Sequence, residues 1–118
     1  MLKLTLPADP EVIDTQPGEI LMVTNADLRE SANLTCWPTQ KLFEERLATA
    51  LEKLGYRLRR AHAVNEERGH GFISSQKEGS DLFASIDPEA PVIVLLTAWQ
   101  YSHHIAPSLV HHRGPILL

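Results

Sequence analysis

Two short, unbroken apolar runs dictate what this chain can become. Glu19–Thr24 (Glu-Ile-Leu-Met-Val-Thr) follows Gly18, and Pro91–Thr97 (Pro-Val-Ile-Val-Leu-Leu-Thr) precedes an aromatic stretch. A strand with one wet face alternates polar and apolar residues. These runs do not alternate, so each reads as a strand covered on both faces. Between them, Leu42, Phe43, Leu47, Ala50, Leu51 and Leu54 fall on one face of a helix. Pro38 fits the first turn of that helix, because its missing N–H would find no partner there anyway. Gly55 supplies the C-terminal stop, and Asn25–Trp37 reads as a polar connector.

The rest of the chain completes an alternating order. Tyr56–Val64 sets Tyr56, Leu58 and His62 against Arg57, Arg59 and Ala61, and charges on one face suit a sheet edge. Asn65–Gly71 is a charged loop. Ser74–Ile86 reads as a second helix, weakened by Gly79 and closed by Asp87-Pro88, since the residue before proline avoids the helical region. Trp99–Ala106 is a polar, aromatic loop, Ser108–His112 a helical turn after Pro107, and Ile116–Leu118 a last strand. Residues 1–18, with Pro7, Pro10 and Pro17, form an irregular lead-in. Residues 19–118 are thus expected to form an α/β domain, a Rossmann-like or flavodoxin-like three-layer sandwich with a mostly parallel sheet. Ligands of such sheets sit beyond the carboxyl ends of the strands. Here that edge is built by Asn25–Glu30 and Ala98–His104.

Composition narrows the partners. A length of 118 residues supports one domain, and 43% hydrophobic with 22% charged residues is ordinary for a globular chain. Eleven basic against 15 acidic residues leave a net charge of −4. That excludes a general nucleic-acid binder, which needs phosphate neutralisation, and gives no pull toward anionic membranes. No segment approaches the roughly 18 apolar residues of a bilayer span. The start, Met1–Pro7, is too short and polar for a signal peptide, so a cytoplasmic protein is expected. The apolar ending Ile116–Leu118 is expected to dock, which suggests a piece of a longer protein.

Several chemistries are tested by residue type. The loop after the first strand, Asn25–Ala32, holds no glycine, so a phosphate or dinucleotide fingerprint fails. The third strand ends Thr97-Ala98-Trp99 with no acid, so a phosphoacceptor receiver fails too. Cys36, the lone cysteine, excludes an internal disulfide and a Cys-based zinc site; beside Trp37 it reads as a small buried apolar group rather than a nucleophile. His103-His104 and His111-His112 are adjacent pairs, and His104 and His111 would share a face of a continuous helix. Pro107 interrupts that helix, and no carboxylate between His104 and His112 completes a usual ligand set. They read as polar residues near a partner surface, with a metal site as the variant. Arg57, Arg59 and Arg60 read as surface salt bridges or an interface with another subunit. Trp99, Gln100 and Tyr101 follow a central strand and offer an apolar face with polar tips. That suits a sugar ring, and equally a plug for the sheet edge or a subunit contact.

Leu28-Arg29-Glu30-Ser31 before a long helix resembles the Val-Arg-Glu-Ser stretch that opens the first long helix of L-fucose isomerases. Val94–Tyr101 resembles that family's strand ending in a tryptophan and tyrosine, and Gly114–Leu118 fits its next strand. The resemblance runs from about Gly18 to the end, and the L-arabinose isomerases share the architecture more loosely. It implies the N-terminal domain of an aldose–ketose isomerase working through a metal-assisted enediol. Manganese would be held by Glu, Asp and His of a later domain with no counterpart here, so this chain alone is expected to be inactive. The domain would supply homo-oligomer contacts, and its tryptophan would reach a monosaccharide bound in a neighbouring subunit. Trp99 matches that tryptophan, and Arg29, Gln100 and Tyr101 lie at the same edge. The family's first loop is longer and carries additional arginines. The alternative is a non-enzymatic interaction domain with the histidine metal site as its variant.

Overall fold

The computed structural model describes residues 14–96 and 103–118. Seven elements follow in order: β1 (Glu19–Val23), α1 (Glu30–Lys53), β2 (Arg57–Arg60), α2 (Gln76–Ala84), β3 (Val92–Val94), α3 (Ala106–Leu109) and β4 (Ile116–Leu117). The strands form one parallel sheet in the order β2-β1-β3-β4. The α/β sandwich expected from the two apolar runs is the observed fold. β1 and β3 are central, with Leu21 opposite Val92 and Val23 opposite Val94.

The two faces of the sheet carry different helices. Leu21, Val23, Val92 and Val94 meet Leu82, Ile86 and Ile105 in a buried core under α2 and α3. Ile20 and Ile93 face the other way and share a groove with Leu51 of α1 and with Leu54, which caps its C-terminus. β2 is an edge strand, as its charges suggest. Its arginines are committed: Arg57 and Arg59 donate to the buried carboxylate of Glu19 at 2.6 and 3.1 Å, and Arg60 pairs with Glu44. The hydrogen bond from Arg57 leads the causes that hold Glu19 below the usual carboxylate range.

β2, α2 and β3 are shorter than the expected Tyr56–Val64, Ser74–Ile86 and Pro91–Thr97, and three further features differ from the expectations, each for a physical reason. α1 begins at Glu30 rather than at Pro38, so Glu30–Trp37 is helix, not connector, and Pro38 lies inside it. A proline there removes one backbone hydrogen bond and crowds the preceding turn, at a cost of about 3 kcal/mol. The first turn is anchored strongly enough to offset this, as described below. Second, the apolar stripe of α1 is only partly covered: Leu42 is 44% exposed, Phe43 41% and Leu54 72%. Twenty-four helical residues span about 36 Å, whereas a five-residue strand spans about 17 Å, so the helix outreaches the sheet. Third, the short helix is Ala106–Leu109, with Pro107 in its first turn instead of before it. Gly55 does end α1, with φ of +87° and its N–H bonded to the Glu52 carbonyl. No helix among the described residues is long and apolar enough to cross a membrane.

Candidate functional site

The chain leaves β1 toward β2 on one side and leaves β3 toward β4 on the other. The strand order therefore reverses between β1 and β3, and in open parallel sheets the crevice beyond the carboxyl ends at such a point is where ligands bind. Thr24 ties the two walls together. Its hydroxyl donates to the Leu95 carbonyl at 2.8 Å, and its N–H donates to Nε2 of His62 at 3.2 Å. Burial, reinforced by the nearby Arg60 charge, pushes His62 down to about 3, so its ring stays neutral.

One residue further, Asn25 pairs in parallel with Ile73, extending β1 past its formal end. The Ile73 N–H donates to the Thr24 carbonyl, and the Ala26 N–H donates to the Ile73 carbonyl. Paired residues share a face, and Ile73 belongs to the core under α2 and α3. Asn25 accordingly points to that face. It is fully buried, and neither its amide nitrogen nor its carbonyl oxygen has a partner.

The lip of the crevice is a set of ion pairs. Asp27 is buried and accepts Arg29 Nη2 at 2.6 Å and Arg29 Nε at 3.1 Å. This pairing, joined by the Arg29 backbone N–H, holds the Asp27 carboxyl below its ordinary range. The buried Asn33 side chain bonds both the N–H and the carbonyl of Asp27 and so locks the chain into the first turn of α1. Glu30, the first residue of α1, receives Arg68 and lies 2.6 Å from Nε2 of His70. Its carboxyl is lowered to about 2, chiefly by Arg68. His70 is fully buried, and its Nδ1 accepts the Phe72 N–H, which places the ring proton on Nε2 toward Glu30. Arg68 also bonds Glu78 at 2.7 Å and the Ser74 hydroxyl. Burial alone would raise the Glu78 carboxyl, but bonds from the Ser74 N–H, the Ser75 hydroxyl and Arg68 outweigh it and hold it low. Ser75 caps α2 by accepting the Glu78 N–H. These contacts anchor both α1 and α2 to the loop that carries Arg68 and His70, and they offset Pro38.

His104 closes the site from the far side. It is 3% exposed, and its ring lies against the Ala26 backbone. Burial and the neighbouring His103 hold it below the ordinary imidazole value, against smaller opposing effects of the Ala26 backbone, Glu78 and Asp27. Its carbonyl packs on Gly79 of α2 so closely that a Cβ there would lie 2.1 Å from the oxygen. Gly79 therefore serves a close approach rather than merely weakening the helix.

Of the residues singled out in the sequence, Arg29 stands at the crevice with its guanidinium exposed and bound to Asp27. Trp99, Gln100 and Tyr101 lie outside the described residues. His104 precedes α3 and is buried, whereas His111 follows it and is exposed; His112 bonds the Ala90 carbonyl at 2.7 Å. Among the described residues, no three His, Cys, Asp or Glu side chains are placed to hold a metal ion. Cys36 sits half-buried within α1. Sequence reasoning placed Asn25 and Glu30 at this edge without giving either a role, and passed over Arg68 and His70. The Ser75-x-x-Glu78 capping pattern was the one local signal of this network. Comparison of the chain with protein-family models, curated proteins and solved structures found no match.

Proposed function

We propose that this chain is the Rossmann-like domain of an aldose–ketose isomerase-like protein and supplies part of a monosaccharide site. One observation carries the reading. β1 and β3 are neighbours and parallel, so the chain leaving β1 toward Arg29 and the chain leaving β3 at Leu96 start from the same edge of the sheet, and Trp99, Gln100 and Tyr101 follow Leu96 in the sequence. The electrostatics agree with an uncharged ligand. Three carboxylates (Asp27, Glu30, Glu78) face two guanidiniums (Arg29, Arg68), and both guanidiniums are already paired. A phosphate would meet a net negative lip, with no glycine loop to cradle it. The ligand set for manganese belongs, on this reading, to a different part of the protein. The domain works in the cytoplasm, where a lone thiol such as Cys36 stays reduced.

The test is a protein-observed NMR titration of the full chain with L-fucose, L-arabinose and ribose 5-phosphate. Shifts near Arg29 on addition of the neutral sugars, reduced at least tenfold in affinity by Trp99→Ala, are expected. Binding of the phosphorylated sugar alone overturns the reading.

A second reading, an interaction domain, is favoured by the α1 face of the sheet. There Ile20, Leu51, Leu54, Tyr56, Ile93 and Leu117 line a groove of about 240 Å³. Its occupant would be a second copy of the chain, since homo-oligomer contacts are expected on either reading. Sedimentation velocity is expected to show association that Leu54→Glu and Leu117→Glu abolish. A monomer at every concentration removes this reading.

A further inference from the structure

The sheet has two edges, and they are finished differently. β2 carries Arg57 and Arg59, both exposed and both paired with Glu19. A second copy brought against that edge would set arginines against arginines. Charged side chains of this kind keep an edge strand from pairing with another chain. β4, at the other edge, carries Ile116 and Leu117 and leads into Leu118; the three are 40%, 62% and 78% exposed. Arg113, the nearest charged side chain before it, is neutralised by Glu89 at 2.9 Å. The backbone of this edge is open as well. Val92 pairs with Ile116 and Ile93 with Leu117, and the Val92 N–H donates to the Pro115 carbonyl. Alternate residues of a parallel strand turn their N–H and C=O toward the same neighbour. Pro115 and Leu117 therefore face β3, and Ile116 and Leu118 turn their backbone groups outward, where no partner stands among the described residues.

We propose that β4 pairs antiparallel with β4 of a second copy, across a two-fold axis that passes beside Leu117 and joins two four-stranded sheets into one. The spacing of the open groups selects this arrangement. Ile116 and Leu118 lie symmetrically about Leu117, so Ile116 of each copy meets Leu118 of the other as a hydrogen-bonded pair. Leu117 then meets its own counterpart as the intervening non-hydrogen-bonded pair, where side chains lie closest. Leu117 turns to the same face as its register partner Ile93, and the two line the apolar groove beside α1. The axis is perpendicular to the sheet, so both α1 faces stay on one side and the two grooves join across it. Apolar side chains are thereby covered together with the open backbone groups. The inference rests on the reading above in which a second copy covers this groove, and it specifies how that copy is held.

The test exploits the contact of Leu117 with itself. Sedimentation velocity of the full chain is compared for wild type, Leu117→Lys, Leu117→Glu, an equimolar mixture of those two, and Leu118→Pro, each variant first shown to keep the wild-type melting transition. Each charged variant alone is expected to dimerise at least about tenfold more weakly than wild type, because like charges meet at the axis. Their mixture is expected to recover dimers holding one copy of each. Leu118→Pro removes an outward N–H without touching the bonds to β3, and is expected to weaken association by about tenfold as well. In the wild type, amide exchange at Ile116 and Leu118 is expected to slow as concentration rises, while Leu117, bonded to β3, stays protected throughout. Charged variants that remain monomeric when mixed overturn the β4 pairing and leave a second copy in the groove standing. A Leu118→Pro chain that associates as wild type does has the same consequence. A wild-type chain that is monomeric at every concentration overturns both.

Discussion

Asn25 shows how a single side chain can work against the stability of its own fold. An unpaired buried amide costs about 1–3 kcal/mol, because it gives up water and gains no partner. An apolar residue of similar size should therefore be tolerated better than the native one. Asn25→Leu is expected to raise stability by about 1 kcal/mol, visible as a higher melting temperature. A lower melting temperature would mean the amide is structural. Nothing in the local sequence announces this position. The apolar run ends at Thr24, and Asn25 opens a stretch that looks like polar loop. Its burial depends on pairing with Ile73, a contact made far along the chain. Arg29, by contrast, can be placed at the correct edge from sequence, because the strand before it is unmistakable. Its commitment to Asp27 follows from a turn that spacing alone does not reveal.

The strands and the end of α1 were legible because they rest on local pattern: unbroken apolar runs for β1 and β3, and a glycine stop for the helix. The start of α1 was not. Local rules place a proline at a helix beginning, and here Pro38 is overridden by tertiary anchors. Asn33 bonds the backbone of Asp27, and Glu30 takes Arg68 and His70 from a distant loop. Gly79 in α2 is a parallel case, where local propensity and packing disagree in sign. By propensity alone, alanine there gains about 0.8–1 kcal/mol. The added Cβ would meet the His104 carbonyl oxygen at 2.1 Å, backbone against backbone, with no flexible group to yield. Overpacking of this kind costs about 1–3 kcal/mol, so packing wins. Gly79→Ala is expected to destabilise the chain in urea unfolding. An alanine variant more stable than the parent would show that α2 and the His104 turn separate freely.

For the molecule as a whole, the buried neutral imidazoles set the response to acid. His62 accepts the Thr24 N–H between β1 and the end of β2, and its folded value is about 3, against about 6.5 in an open chain. Between those values the unfolded chain binds a proton that the folded chain refuses. Stability therefore falls as pH drops from about 6.5 toward about 3, by at most about 1.4 kcal/mol per pH unit from His62. His104, also held low, pushes in the same direction over its own window. The lowered carboxylates Glu19, Asp27, Glu30 and Glu78 stabilise the fold above their unfolded values. That contribution is lost progressively from about pH 5 downward and is gone below the depressed folded values, so above pH 5 the histidines act largely alone. Urea unfolding between pH 7.5 and pH 5 is then controlled by the histidines. Over that range the wild type is expected to lose about 1–2 kcal/mol. His62→Gln, which keeps an acceptor for Thr24, is expected to flatten the slope. A wild-type curve that stays level down to pH 5 would mean His62 charges freely in the folded state, and with it the hydrogen bond that joins β1 to the end of β2 would have to open.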